Sequence, residues 1–303
     1  MHMKRRHMST QAFDAVTIFK CLAQLEAQFL GENREWEPQN DEQERLFTLY
    51  QQMKDYLAQI RGLKAKGSKF YTELNDFLVE EGFSPMFQPF NPEDSVGVAT
   101  VLDKMVEWFV EAELVNITAQ NGREYPGFEI PKQGVSIYTT NYGTLAELYT
   151  KSEDTLWLLL PTANQPDLLG FNLFETAVKV MSEEGSINHH FSGIQIPKVD
   201  LDVTPDLNFL LRARTFDTND VPWRVTQAFQ RFKFRMNEKG ARAKVTTGIA
   251  VTMEAFFAKP DPLILDRPFL GWFTQKGLEL LPMAVFWADY DSWKEPSGSL
   301  ENL

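Results

Sequence analysis

Cysteine is almost missing from this chain: Cys21 is the single one in 303 residues. No internal disulfide can form from it, and no cysteine-based metal cluster can be built. It reads as a small buried apolar side chain. Long apolar runs are missing as well, since no stretch approaches the ~18 residues that a membrane-spanning helix needs. The start, Met1 to Met8, is basic, but Asp14 and Lys20 interrupt what would be the apolar part of a secretory signal. No signal is read, and the compartment is left open with the cytoplasm favoured. Dense Lys/Arg stripes are also lacking, and the formal net charge is −12. An acidic chain without a basic stripe has no footprint for nucleic acid or for an anionic membrane.

Recognisable catalytic seats are absent too. His189 and His190 are adjacent, so on a strand they point to opposite faces, and no further ligand stands at metal-binding spacing. Ser192-Gly193 lacks the strand-turn-helix frame of a nucleophile elbow. Gly240 and Gly248 lack the context of a phosphate-cradling loop. The carboxylate pairs Glu80-Glu81 and Glu183-Glu184 fall at expected helix ends, where they read as solvated surface. The chain is therefore expected not to be an enzyme, with no cofactor and no metal.

The material for a core is present. With 43% hydrophobic and 13% aromatic residues, the chain can bury a large interior. From Ala12 to about Val79 the pattern is helical: Leu46, Leu49, Tyr50, Met53, Tyr56, Leu57 and Ile60 recur at steps of three and four. Phe13, Val16, Phe19, Leu22 and Leu25 form a shorter stripe, closed by Gly31 and Pro38. A further amphipathic helix is expected from Val101 to Glu113. After it the character turns to short β-rich runs at Leu114–Gln120, Val135–Thr140, Thr155–Leu160, Ile194–Pro197, Phe229–Met236 and Leu280–Trp287. Helices are expected at Leu168–Glu183 and Pro205–Arg212. Helices first and a strand-rich half afterwards imply an α+β fold. The expected organisation is a helical segment over residues 1–69 and a main domain over 70–303. The opening helix of that domain is either Phe13–Leu30 or Phe70–Glu81.

Two segments carry more. Asn237 to Gly248 reads NEKGARAKVTTG, and after a polar and apolar run Leu265 to Phe273 reads LDRPFLGWF. The pair resembles the hinge and returning strand of the serpins, with Glu238 and Gly240 at the hinge and Arg267, Pro268 and Phe269 at the return. Four further segments follow in the family's order. These are Leu114–Gly122 with Asn116, Leu145–Pro161, the segment holding Ile196, Pro197, Lys198, Leu207 and Leu211, and Leu280–Trp293. The resemblance runs from about Leu114 to Pro296. It departs from the family at Gln230, where a histidine usually stands eight positions before Glu238, and after Gly122, where Glu124 or Tyr125 replaces a tryptophan. The Asn-x-x-x-Ser-Pro-x-Ser start of a buried helix is missing, and only Phe83-Ser84-Pro85 echoes it.

What the resemblance implies is a serpin-like α+β fold: N-terminal helices, then mixed and antiparallel sheets with an exposed reactive-centre loop. It implies a protease inhibitor whose loop is cleaved and inserts as a strand, with a serine or cysteine protease as partner. The alternative is a serpin-like protein that binds a partner, protease or not, without trapping. Counting from the hinge places the reactive bond at Glu254-Ala255, and counting back from the return places it among Phe256, Phe257 and Ala258. Asn116 and Gln230 are assigned to the region where the sheet opens. The residues themselves add one test. Ala241, Ala243, Val245 and Thr247 are small or β-branched and share one face of a strand, whereas Arg242, Lys244 and Thr246 share the other. No proline interrupts Glu238 to Lys259, so every backbone donor there can join a ladder.

Overall fold

The structure is a computed structural model that describes residues 9–162, 168–239 and 260–300. The chain divides into two compact units interleaved in sequence, one of residues 1–11, 105–203 and 233–303, the other of residues 12–104 and 204–232. The expected boundary after residue 69 falls inside the second unit. Elements are numbered along the chain, beginning with β1 (Gln11–Phe13).

The second unit is built on α1 (Ala15–Leu25), α2 (Asp41–Met53), β2 (Leu63–Ser68), α3 (Tyr71–Glu80) and β3 (Gly97–Leu102). Asp14 caps α1 by accepting from the Thr17 amide at 2.8 Å, and Ala15, Val16, Ile18, Phe19 and Leu22 form its buried face. Asn40 caps α2 the same way through the Gln43 amide. Acidic residues Asp41, Glu42 and Glu44 fill its first turn, where they oppose the positive helix end. Between the two helices Glu26 is buried and held by the Trp36 indole and the Tyr50 hydroxyl, each at 2.9 Å. Burial and the neighbouring Glu26 carboxyl hold the Tyr50 phenol well above its ordinary range.

The sequence pattern errs at two places in this unit. β2 and β3 pair antiparallel over their whole length, from Leu63↔Leu102 to Ser68↔Gly97. The expected helix over Val101–Glu113 is thus a strand end followed by irregular chain. Val98, Thr100 and Val101 are β-branched and favour the ladder, and β2 supplies a partner from more than 30 residues away. Gly62 makes the ribbon's end possible: its φ is +77°, and a Cβ there would lie 2.0 Å from the Asp103 carbonyl oxygen. The expected helix at Pro205–Arg212 is a single 3-10 turn, Asn208–Leu210. It is followed by Arg212 at φ 70°, a left-handed value that an α-helix cannot continue through. β12 (Arg214–Phe216) and β13 (Pro222–Arg224) close the unit as a short hairpin.

In the first unit, β4 (Glu113–Thr118), β5 (Glu124–Pro131), β6 (Val135–Thr140), β7 (Gly143–Leu148) and β8 (Asp154–Pro161) follow one another. Then come α4 (Phe171–Met181), β9 (Ser186–Ile187), β10 (Gly193–Pro197), β11 (Val199–Val203), β14 (Phe232–Met236), β15 (Leu263–Ile264), β16 (Phe269–Gln275) and β17 (Leu278–Ala288). In the large sheet β17-β16-β8-β7-β6-β9 are neighbours in that order, all antiparallel. β16 is buried at every position, as a central strand covered on both faces must be. Phe269, Trp272 and Phe273 of β16 and Phe286 of β17 are the fully buried bulk of this sheet. The second sheet runs β15-β10-β5-β4, and the third is the two-stranded β11-β14 ribbon.

Candidate functional site

The expected hinge glutamate lies two residues beyond β14. Along that strand Phe232, Phe234 and Met236 are buried, and Lys233 and Arg235 are half-buried on the opposite face. Phe234 stacks on Phe286 with ring centroids 4.3 Å apart, which fixes the apolar face against the large sheet. Asn237 then ends the strand. Its carbonyl accepts from the Trp108 indole N–H at 3.0 Å, and Trp108 is itself stacked on Phe128. A tryptophan does stand beside the hinge, supplied by residue 108 and not by the positions after Gly122.

Glu238 is clamped by Lys198. The Lys198 ammonium lies 2.8 Å from the Glu238 carboxylate and 2.9 Å from that of Glu295, and its own side chain is only 6% exposed. The ammonium donates a hydrogen bond to Glu295 and forms an ion pair with Glu238. Backbone contacts fix where it stands: the Lys198 amide donates to the Pro126 carbonyl, and the Lys294 amide to the Lys198 carbonyl. Next along β11, Asp200 accepts from the amide and hydroxyl of Ser297 and from Arg235 of β14.

Burial acts against each charge, and the partners outweigh it. Burial alone would raise the Glu238 carboxyl, but Lys198 brings it below its ordinary 4.5. Burial alone would lower the Lys198 ammonium, but the two carboxylates bring it above 10.5. The sign follows from linkage. A carboxyl depressed in the folded state stabilises above its unfolded value and loses that contribution as pH falls through the folded value, while a raised ammonium stabilises below 10.5 and loses it above. At pH 7, Lys198→Met is expected to cost about 2 kcal/mol, less than the ~3–5 of a fully buried pair because Glu295 is largely exposed. Urea titrations at several pH values check this. The gap between the two proteins should hold from about pH 5 to 10 and narrow as the pH falls below 4.5.

Gln230 lies in the second unit and grips the start of α1. Its amide oxygen accepts from the Asp14 amide at 2.9 Å, and its amide nitrogen donates to the Asp14 carbonyl and the Thr17 hydroxyl. Thr100 of β3 donates to the Thr17 carbonyl and meets the Cys21 sulfur at 3.3 Å. Burial pushes the Cys21 thiol up to about 11, against a lowering contact from Thr100, so it stays protonated and inert at neutral pH. The neighbouring Arg231 donates to Ser84 at 3.0 Å.

The structure therefore brings Glu238 together with Lys198, and Gln230 together with α1. Asn116 does not join either group: it is exposed on β4 opposite Pro126, in the β15-β10-β5-β4 sheet. The segment around it pairs with β5 and is not a strand of a ribbon beside β14. Gly240, Ala241, Ala243, Val245, Thr247 and the bond candidates Glu254, Ala255, Phe256, Phe257 and Ala258 lie outside the described residues. At the return, Phe269 opens β16, and Arg267 donates to the Pro161 carbonyl at 3.1 Å. Lys198 was legible in sequence as part of the Ile196-Pro197-Lys198 motif. Trp108 and Glu295 carried no signal, because each reaches the hinge from a remote segment.

No family model matches the chain, and no curated sequence does. Solved structures do match. Human thyroxine-binding globulin, in complex with its hormone, is 11% identical and superposes with a TM-score of 0.59, covering 95% of this chain and 93% of that one. Serpin48, a highly specific serpin of the insect Tenebrio molitor, is 14% identical at a TM-score of 0.57, with 93% and 92% covered. The thermophilic serpin Tengpin in its native state is 12% identical at a TM-score of 0.57, with 95% and 89% covered. The matches extend well before Leu114, where the sequence likeness ends. By its architecture, this α+β chain has a serpin-like fold.

Proposed function

We propose that this protein is a protease inhibitor, not an enzyme, that acts by offering residues 240–259 for cleavage and adding the freed part to a β-ribbon. The observation that carries the reading is the state of β14. Among the described residues it forms a two-stranded ladder with β11, and four residues after its last position, Met236, the sequence reaches Gly240 of the expected hinge. A two-stranded ribbon is marginal alone and gains from a further strand. The incoming sequence has the matching two-faced pattern: Ala241, Ala243, Val245 and Thr247 suit the apolar side on which Phe232, Phe234 and Met236 are buried.

Gln230 replaces the family's histidine without leaving the start of α1 unbonded, so Asp14 and Thr17 stand in for the missing Asn-x-x-x-Ser-Pro-x-Ser segment. The partner is a serine or cysteine protease that accepts Glu254, or one with an aromatic pocket for Phe256 or Phe257. The test is incubation with glutamate-specific and chymotrypsin-like proteases, followed by denaturing electrophoresis. A band at the summed mass of protease and inhibitor supports trapping. Cleavage to a nicked chain with the protease fully active contradicts it.

A second reading, binding of a protein or small ligand without trapping, is favoured by one feature. On an inserted strand Arg242 and Lys244 would share a face with Lys233 and Arg235 of β14, and like charges across a ladder oppose pairing. One of the matching folds belongs to a thyroxine-binding protein.

A further inference from the structure

The chain's last described stretch, Trp293 to Ser299, runs along the outer edge of β11 and reaches the strand that leads to the hinge. Val199 and Trp293 form an antiparallel bridge, and the Lys294 amide donates to the Lys198 carbonyl at 3.1 Å. Glu295 then takes one donor of Lys198 at 2.9 Å. Ser297 gives both its amide, at 2.8 Å, and its hydroxyl, at 2.7 Å, to Asp200. Arg235 of β14 donates to the Ser297 hydroxyl and the Ser299 carbonyl, each at 3.3 Å.

We infer that Trp293–Ser299 is a clasp that positions Lys198 and Arg235 and so sets how firmly Glu238 is held. This deepens the inhibitory reading and rests on it for its biological meaning. Three features carry it. The lysine that holds the expected hinge glutamate has its other partner in this segment. Asp200 holds the segment's Ser297 and β14's Arg235 at once. The segment is also tied to the start of β11 by the Val199–Trp293 bridge. Burial opposes the Asp200 carboxylate, yet the Ser297 donors and Arg235 bring it below its ordinary value, consistent with a closed contact and not a loose surface one. Glu295 and Ser297 act through Lys198 and Asp200 and are positioning residues. Loosening them exposes the hinge without touching the bait.

The test is hydrogen exchange on the full chain, on a form ending at Lys294 and on Glu295→Gln. Each is read in peptides spanning residues 237–248 and, as a reference, in β16. Loss of charge-assisted contacts predicts exchange over 237–248 about tenfold faster in the shortened form, and a smaller rise in Glu295→Gln. β16 should not change, which a general loss of stability would not spare. Lys64→Met breaks an ion pair with Glu81 in the second unit and should leave all these peptides unchanged. Unchanged exchange over 237–248 in both clasp variants overturns the inference. Faster exchange in a protein that forms no covalent complex supports the clasp and removes only the inhibitory reading.

Discussion

Cleavage after Glu254 is expected to raise the melting temperature of this protein by roughly 14–28 °C. The estimate combines a gain on the order of 1 kcal/mol for each of residues 241–247 entering the ladder with about 2–4 °C per kcal/mol for a chain of this size. The direction is the informative part. A nick in an ordinary surface loop removes a covalent constraint and leaves stability unchanged or lower. Here the nick would release a segment that gives the β11-β14 ribbon a third strand and brings the segment's own backbone groups into a ladder. Differential scanning calorimetry before and after nicking by a glutamate-specific protease reads the effect. A fall, or no change, means the segment does not join a sheet.

The second large effect is expected at Val245. On the proposed strand its side chain lies on the face where Phe232, Phe234 and Met236 are buried. Val245→Asp would place a carboxylate there without a cation. Burying an unpaired charge costs several kcal/mol, and each 1.4 kcal/mol is a factor of ten. The yield of covalent complex relative to simple cleavage should therefore fall by about 100-fold or more, with the initial rate of loop cleavage little changed. Thr246→Asp, one residue on, tests the face assignment. Its carboxylate would stand with Lys233 and Arg235, so complex formation should persist or improve. Equal loss in both variants would contradict the alternation, and loss in neither would mean that the segment is not inserted.

Much of the architecture could be read from local pattern, and what escaped has a common cause. β6 occupies Val135–Thr140, the limits its β-rich run suggests, and α4 sits within Leu168–Glu183. β2 was read as part of a helical region because Leu63, Lys64, Ala65 and Lys66 are good helix formers, and only its distant partner β3 makes them a strand. The end of β3, Val101 and Leu102, falls in the helix expected over Val101–Glu113. The site shows the same division. Glu238 and Lys198 stand in segments that resemble the family, whereas Trp108, which meets Asn237, and Glu295, which meets Lys198, come from 130 and 57 residues away from Glu238 in the chain. Long-range ion pairs leave no periodicity. Asn116 was assigned by a motif that fits its own strand well, but that strand belongs to the β15-β10-β5-β4 sheet.

Hydrogen exchange across residues 241–247 of the nicked protein tests the central claim most directly. If the freed segment zips onto β14, those amides should exchange as slowly as the amides of β14 and β11. Exchange at the rate of an unstructured peptide, in a chain cleanly cut after Glu254, would contradict the account.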